Sequence, residues 1–144
     1  MLGKLAKWLR ILGFDTLYYN EIDDDRLLAI AEKENRILLT RDTRIKRMKK
    51  AGIIFIEDDH WREQLKQFLK AFPVEKSDLF SRCLICNREL LEIKKEKVKE
   101  KVPPYVYQSQ ENFSCCPGCG KIYWSATHYE RMRDELVNLG VNDE

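Results

Sequence analysis

Cys116-Pro117-Gly118-Cys119-Gly120-Lys121 is the most informative stretch of this chain, and Cys83 and Cys86 repeat the spacing of its cysteines. Each Cys-x-x-Cys pair presents two thiolates across a tight turn, which Pro and Gly favour in the later pair. Four thiolates on two such turns form a tetrahedral site that suits Zn²⁺. A site closed by four protein ligands is structural, so any catalytic chemistry should lie outside the cysteines.

Cys115 directly precedes Cys116 and makes the ligand set ambiguous. Cys116 keeps the two-residue gap to Cys119, whereas Cys115 would need a gap of three residues. We therefore predict that Cys83, Cys86, Cys116 and Cys119 are the zinc ligands and that Cys115 is free.

Length and composition limit the possible classes of protein. The chain has 144 residues, enough for a small domain with a metal-stapled module, and its net charge is only +2. We see no secretory signal and no apolar run of the roughly 20 residues that a membrane span needs. The cysteine pairs of such a chain indicate metal ligands in a reducing compartment rather than disulfides. We therefore predict a cytoplasmic protein without a membrane segment.

Leucines recur at helical spacing at the start of the chain, at positions 2, 5, 9 and 12, with basic residues between them. A basic amphipathic helix could lie on a membrane surface or serve as a transit peptide. The simpler interpretation, which we favour, is a helix that faces the protein core and ends at Gly13.

Helical and extended patterns alternate over residues 1–72, which predicts an α/β domain with a small parallel sheet flanked by helices. Apolar or aromatic runs predict the strands, and acidic residues, glycine or proline mark the helix ends. After the first helix, the predicted elements are a strand at 14–19, a helix opened by Asp23 to Asp25, a strand at 36–40, a basic helix at 43–50, a strand at 53–56 and a helix at 60–71.

The pattern changes after this domain. We predict a linker at 73–82, a zinc ribbon at 83–126 that carries both cysteine pairs, and a C-terminal helix and tail at 127–144. Within these regions, the predicted elements are strands at 105–107 and 122–124 and a helix at 128–139.

Acidic residues are placed where a parallel sheet builds active sites. Asp42 follows the predicted strand at 36–40, and Asp24 opens the preceding helix, so both could reach the carboxyl edge of the sheet. Converging carboxylates can hold Mg²⁺ or Mn²⁺, which activates water and neutralises charge on a scissile phosphate. The alternative is that Asp24 and Asp42 are only helix N-caps.

A basic run follows directly on the acidic site. It could contact a nucleic-acid backbone by neutralising phosphates, or it could be a solvated helix face. The basic residues are Arg41, Arg44, Lys46, Arg47, Lys49 and Lys50. We predict RNA contacts for the first four.

The motifs together resemble a known family. They are residues 2–15, Arg36-Ile37-Leu38-Leu39-Thr40-Arg41-Asp42, residues 82–87, and residues 116–124 with His128. In order and spacing they resemble the PIN-like RNase domain family named for the C-terminal region of the exonuclease mut-seven. The resemblance implies a PIN-like α/β fold with a zinc ribbon, and a metal-dependent ribonuclease. It also implies that Asp42 and Asp24 match family acids and that the four cysteines match the ribbon ligands. Asp15 matches the family acid that follows the Leu-Gly-aromatic stretch, for which a structural role is an alternative to a catalytic one.

The chain departs from the resembled family at its start. Family members usually begin with a short strand and an Asp before the Met-Leu-Gly stretch, whereas Met1 comes first here. Either the start is assigned too late, the chain is shortened, or a metal ligand is lost. Such a loss would weaken Mg²⁺ binding and expose apolar strand edges, which would favour self-association.

Three functions follow from these expectations. The leading one is a ribonuclease in which Asp24 and Asp42 hold a divalent metal. The alternative is a catalytically inactive RNA-binding or assembly module, which the absent first acid favours. A weaker possibility is a zinc-ribbon adaptor for DNA or protein, because fold does not fix function.

Overall fold

The computed structural model describes residues 2–47, 52–74, 79–124 and 127–138, without the side chains of 127–129. The chain divides into two compact units. The sheet unit comprises Met1–Ala6 and Leu17–Phe72, and the cysteine unit comprises Lys7–Thr16 and Pro73–Glu144. The predicted mixed α/β class is confirmed. The predicted boundaries of domains, linker and tail stay predictions.

The first helix, α1 (Gly3–Ile11), buries the leucines that recur at helical spacing. Leu5, Leu9 and Leu12 are all buried, which confirms a core-facing helix. The helix ends as predicted before Gly13, whose φ is 94°. Glycine adopts such a positive φ readily because it has no Cβ atom. The N–H of Phe14 reaches back to the carbonyl of Leu9 at 2.9 Å, as in a Schellman motif.

The sheet unit builds a parallel pair of strands from two strand–helix steps. Leu38 pairs with Ile53 and Thr40 with Phe55, and the helix between the strands buries Ile45. Asp42 therefore lies just beyond the carboxyl end of the first strand. The elements are α2 (Asp24–Lys33), β1 (Leu38–Thr40), α3 (Thr43–Lys46), β2 (Ile53–Phe55) and α4 (Trp61–Ala71).

The predicted strand at 14–19 was wrong, because the structure has no strand there. The N–H of Thr16 donates to Asn87 Oδ1 at 2.8 Å, and its carbonyl accepts from Arg10 Nε at 2.9 Å. Side chains thus occupy the backbone groups that a strand would offer to a neighbour. Within the described residues the parallel sheet has two strands, one fewer than predicted.

The cysteine unit contains a three-stranded antiparallel sheet in the order β3-β4-β5. Val98, Val102, Val106 and Phe113 form its buried apolar cluster. The elements are β3 (Leu91–Ile93), a 3₁₀ turn at Lys95–Val98, α5 (Pro104–Ser109), β4 (Phe113–Cys115), β5 (Ile122–Tyr123) and α6 (Thr127–Asn138).

The predicted strand at 105–107 was also wrong, because these residues lie in α5. Pro104 stands in the first turn of that helix, where its missing N–H costs nothing and its fixed φ suits a helix. The predicted C-terminal helix is confirmed as α6. The predicted basic helix is confirmed at Thr43–Lys46, and positions 48–50 lie outside the described residues. In the described part of the chain, every helix is too short or too polar to cross a bilayer.

Candidate metal centre and acidic site

The structure brings the four predicted cysteine ligands together. The Sγ atoms of Cys83, Cys86, Cys116 and Cys119 all lie within 4.8 Å of one another, and those of Cys83 and Cys119 are 3.7 Å apart. A tetrahedral Zn²⁺ with bonds of about 2.3 Å separates its sulfurs by about 3.8 Å. The sulfurs therefore fit such an ion. Among the described residues, no other group of three or more potential ligands is this close, and Cys115 is not part of it.

The two cysteine turns share one backbone pattern. In the first, the N–H of Cys83 donates to the carbonyl of Arg88, and the N–H of Asn87 donates to the carbonyl of Cys83, both at 2.9 Å. The second turn repeats both bonds between Cys116, Gly120 and Lys121. Asn87 and Gly120 occupy the same step with positive φ, 67° and 78°. Asn and Gly are the residues that adopt this conformation most readily.

Hydrogen-bond donors surround the sulfurs. The backbone N–H of Cys86 points to Cys83 Sγ at 3.4 Å, and the N–H of Gly118 points to Cys116 Sγ at 3.3 Å. The hydroxyl of Tyr123 donates to Cys83 Sγ at 3.1 Å. Donors aimed at a sulfur favour the thiolate, which is the form that binds a metal.

The thiols differ sharply in pKa. Burial of Cys83 disfavours its thiolate, but hydrogen bonds from Tyr123 and from two backbone N–H groups outweigh burial and lower its pKa to about 6. Hydrogen bonding with Cys119, followed by desolvation, raises the pKa of Cys86 to about 12. The first thiolate to form thus opposes ionisation of its neighbours. A cation at the centre would remove this conflict.

Side chains of the cysteine unit that the sequence did not connect with the cysteines hold the first turn in place. Arg10 Nη1 donates to the carbonyl of Leu84 at 2.8 Å, inside the Cys83–Cys86 turn. Asn87 Nδ2 donates to Asp15 Oδ1 at 2.6 Å. The contact of Asp15 with Asn87 favours the structural alternative for this family acid, but nothing in the local pattern could connect residues so distant in sequence.

The acidic residues also converge. Asp42 is the N-cap of α3, and its Oδ1 accepts from the N–H of Arg44 at 2.8 Å. Asp24 does not cap α2, because the cap is Asp23. The guanidinium of Arg44 lies 2.9 Å from Asp42 Oδ2 and 3.6 Å from Asp24 Oδ2. The capping interpretation thus holds for Asp42 and was wrong for Asp24.

The guanidinium of Arg44 compensates the negative charge of Asp24 and Asp42. Hydrogen bonds from the Arg44 side chain and backbone hold the pKa of Asp42 below its usual range. The carboxyl is therefore ionised at neutral pH. The side chain of Arg44 is 80% exposed, so both ion pairs lie at the protein surface. The pair can accept a cation, and in this structure the cation is Arg44.

The predicted RNA-binding residues have different surroundings. Arg41 donates to the carbonyls of Ile56 and Glu57 at 3.3 and 3.4 Å. Lys46 and Arg47 are exposed at the end of α3, and the Lys46 ammonium lies 4.4 Å from the centre of the Phe55 ring. Arg44 faces the two acids. Lys46 and Arg47 are thus the members of this set that are best placed for an external phosphate.

Comparison with known proteins gives one match. The family model described as "Mut7-C RNAse domain" matches residues 1–136. The searches of curated proteins and of solved structures found no match.

Proposed function

The chain belongs to the Mut7-C RNAse domain family, and we propose from this membership that it is a metal-dependent ribonuclease. In this proposal, Asp24 and Asp42 hold Mg²⁺ or Mn²⁺ and RNA is the substrate. Cleavage of end-labelled single-stranded RNA with either metal, compared with the Asp42→Asn variant, is the direct test.

One observation carries the assignment of the acids. Asp24 has no capping bond to make at the start of α2, yet its carboxylate shares the Arg44 guanidinium with that of Asp42. Two carboxylates close enough to share one cation match the way proteins bind Mg²⁺, with one or two carboxylates completed by water and substrate phosphate. When bound, the ion would supply an activated water and would neutralise charge on the phosphate.

The protein's own groups would perform the remaining tasks. Asp42 is fixed by two backbone bonds: its N–H donates to Thr40 Oγ1 at 3.0 Å, and its carboxylate caps α3. Its position therefore changes little when a ligand arrives. Arg44 would leave the carboxylates for the substrate, where a guanidinium can pair with phosphate oxygens.

We further propose that the cysteine cluster holds Zn²⁺ in a structural role, as a zinc ribbon that helps to bind RNA. Four cysteines around one point leave no position for a substrate water, which separates this site from the chemistry. The antiparallel pair β4–β5, whose connecting turn contains Cys116 and Cys119, and the repeated backbone pattern of the two turns support this assignment.

A second candidate function is an RNA-binding module without activity. It is favoured by the same ion pair, because Arg44 already compensates the charge of both acids. RNA binding without cleavage in either Mg²⁺ or Mn²⁺ would support this second function.

Replacing Arg44 by glutamine tests whether the guanidinium competes with a metal ion. We expect Mn²⁺ affinity to rise about two- to fivefold, since an exposed ion pair has a modest effect. We also expect the pKa of Asp42 to rise toward its ordinary value, so that Asp42 protonates at a higher pH than in the wild type. Electron paramagnetic resonance gives the free Mn²⁺, and NMR titration gives the pKa. Arg47→Gln is the matched control and should change neither quantity; unchanged Mn²⁺ affinity in Arg44→Gln would contradict the competition.

The double variant Lys46→Ala with Arg47→Ala tests the RNA surface. We expect weaker RNA binding, and a salt dependence whose slope falls by about two, one for each lost phosphate contact. Filter binding at several salt concentrations measures both quantities. Lys66→Ala with Lys70→Ala removes the same charge from exposed positions of α4 and should leave the slope unchanged. Equal slopes in the two double variants would mean that the end of α3 does not contact RNA.

A further inference from the structure

A cavity of about 350 Å³ lies within the cysteine unit, beside β5. Its wall includes the aromatic side chains of Phe80, Tyr123 and Trp124 and the cations Arg82 and Lys121. None of the described residues that line it is acidic, although the chain has 24 acidic residues against 26 basic ones. The cavity therefore combines apolar walls with one exposed cation, Lys121, because the Arg82 guanidinium is paired with Glu89 at 3.6 Å.

The size and chemistry of the cavity limit what it can bind. Pockets of about 300–1,000 Å³ take small ligands. An aromatic wall suits a flat ring, and the exposed ammonium of Lys121 at the rim suits a phosphate. A nucleotide combines both features, and it becomes available in single-stranded RNA, where unstacked bases can insert between aromatic side chains.

The aromatic walls differ in how firmly they are held. The hydroxyl of Tyr123 donates to Cys83 Sγ and accepts from the N–H of Leu84, both at 3.1 Å. This ring is therefore tied to the cysteine cluster. Trp124 is partly exposed and packs against Phe113 with ring centres 6.5 Å apart. Trp124 thus keeps ring surface available for stacking.

The two cations also differ. Arg82 donates to the carbonyls of Gly13 and Asn87 at 3.1 and 2.7 Å, so its guanidinium is fixed. Lys121 is exposed, and its ammonium lies 5.2 Å from the centre of the Tyr123 ring. Lys121 can therefore follow a phosphate at the rim, whereas Arg82, which also pairs with Glu89 at 3.6 Å, has a structural role in the wall.

We propose that this cavity binds one nucleotide of single-stranded RNA, with the base stacked on Trp124 and its phosphate paired with Lys121. The side chain of Asn112, which is exposed and also lines the cavity, can bond the edge of the base. The inference rests on the proposed function only in taking RNA as the ligand.

Binding of a short fluorescent single-stranded RNA, without added divalent ion, tests the cavity independently of cleavage. We expect Trp124→Ala to weaken binding about tenfold, the loss typical of one stacked base, and Trp124→Phe to restore most of it. Tyr105→Ala removes an exposed aromatic side chain of the same unit outside the cavity and should bind normally. Lys121→Ala should lower the salt slope by about one, whereas Lys101→Ala should not.

Because Trp124 also packs against the core, the wild-type protein gives an additional readout. The indole N–H signal of Trp124, assigned by its loss in Trp124→Phe, should shift when the RNA is added, and a duplex RNA should shift it much less. An unshifted signal, or normal RNA binding by Trp124→Ala, would contradict nucleotide binding at the cavity even if the chain cleaves RNA. If the chain binds RNA through Trp124 but does not cleave it, nucleotide binding at the cavity is supported and only the proposed ribonuclease activity is refuted. Absence of any RNA binding refutes the cavity.

Discussion

Replacing Cys116 by serine should release the bound metal and unfold the cysteine unit, whereas replacing Cys115 by serine should do neither. The two residues are neighbours on the same strand end, but only Cys116 belongs to the group of four sulfurs. Structural Zn²⁺ in small modules contributes about 10–16 kcal/mol, most of which is also folding free energy. We therefore expect Cys116→Ser to lower zinc affinity more than about a hundredfold, because even residues that only hydrogen-bond a ligand change it about 10- to 100-fold.

Native mass spectrometry gives the metal content of each variant, and amide hydrogen exchange over residues 79–124 reports the fold of the cysteine unit. The wild type and Cys115→Ser should each carry one zinc ion and protect β4 and β5. A metal-free Cys115→Ser, or a fully loaded Cys116→Ser, would show that the ligand was assigned to the wrong neighbour. A metal-free wild type with full protection would mean that the cluster needs no ion to fold.

The apolar cluster explains why this effect should be large. Val98, Val102, Val106 and Phe113 form the buried group, and its members are mostly valines. So small a cluster contributes little stability to the sheet beside the cysteines. Tyr123 joins this region to the metal centre, because its hydroxyl bonds Cys83 and its ring lines the nearby cavity. Loss of the metal should thus also weaken RNA binding at the cavity.

Local chemistry made part of the fold predictable. Gly13 and the spacing of the leucines predicted α1, and the apolar runs predicted β1 and β2, because each signal acts within a few residues. The strand predicted at 14–19 failed because its backbone groups bond Asn87 and Arg10 instead. The two tyrosines and the valine at 105–107 suggested a strand, but Pro104 occupies the first turn of a helix, α5.

The candidate sites were predictable to different degrees. Cysteine spacing gave all four members of the sulfur cluster, because each turn is local and thiolates have few other uses at this spacing. The partnership of Arg44 with Asp24 could not be predicted, because it joins the start of α2 to the turn after β1. For the same reason Arg44 was expected to face RNA, whereas it contacts the acids.

Replacing Asp42 by asparagine should lower the rate of RNA cleavage steeply while leaving the fold intact. Asn caps a helix about as well as Asp, so the bond to the N–H of Arg44 survives and only the negative charge is lost. A metal ion stabilises the transition state by several kcal/mol, and each 1.36 kcal/mol is tenfold in rate. The rate should therefore fall by about a hundredfold or more, and RNA affinity should stay the same or rise slightly.

Asp23→Asn provides the matched control, because Asp23 is also an N-cap and its carboxylate is exposed. The same change of charge at Asp23 should leave cleavage within about twofold, since its carboxylate accepts from the N–H of Arg26 and Asn can accept the same bond. Asp24→Asn, one residue further on, should behave like Asp42→Asn. Equal activity of all three variants would mean that Asp42 serves only as a helix cap and that the catalytic acids are other residues. Loss of activity at positions 24 and 42 but not at 23 would separate a shared metal site from helix capping, because all three variants lose the same charge.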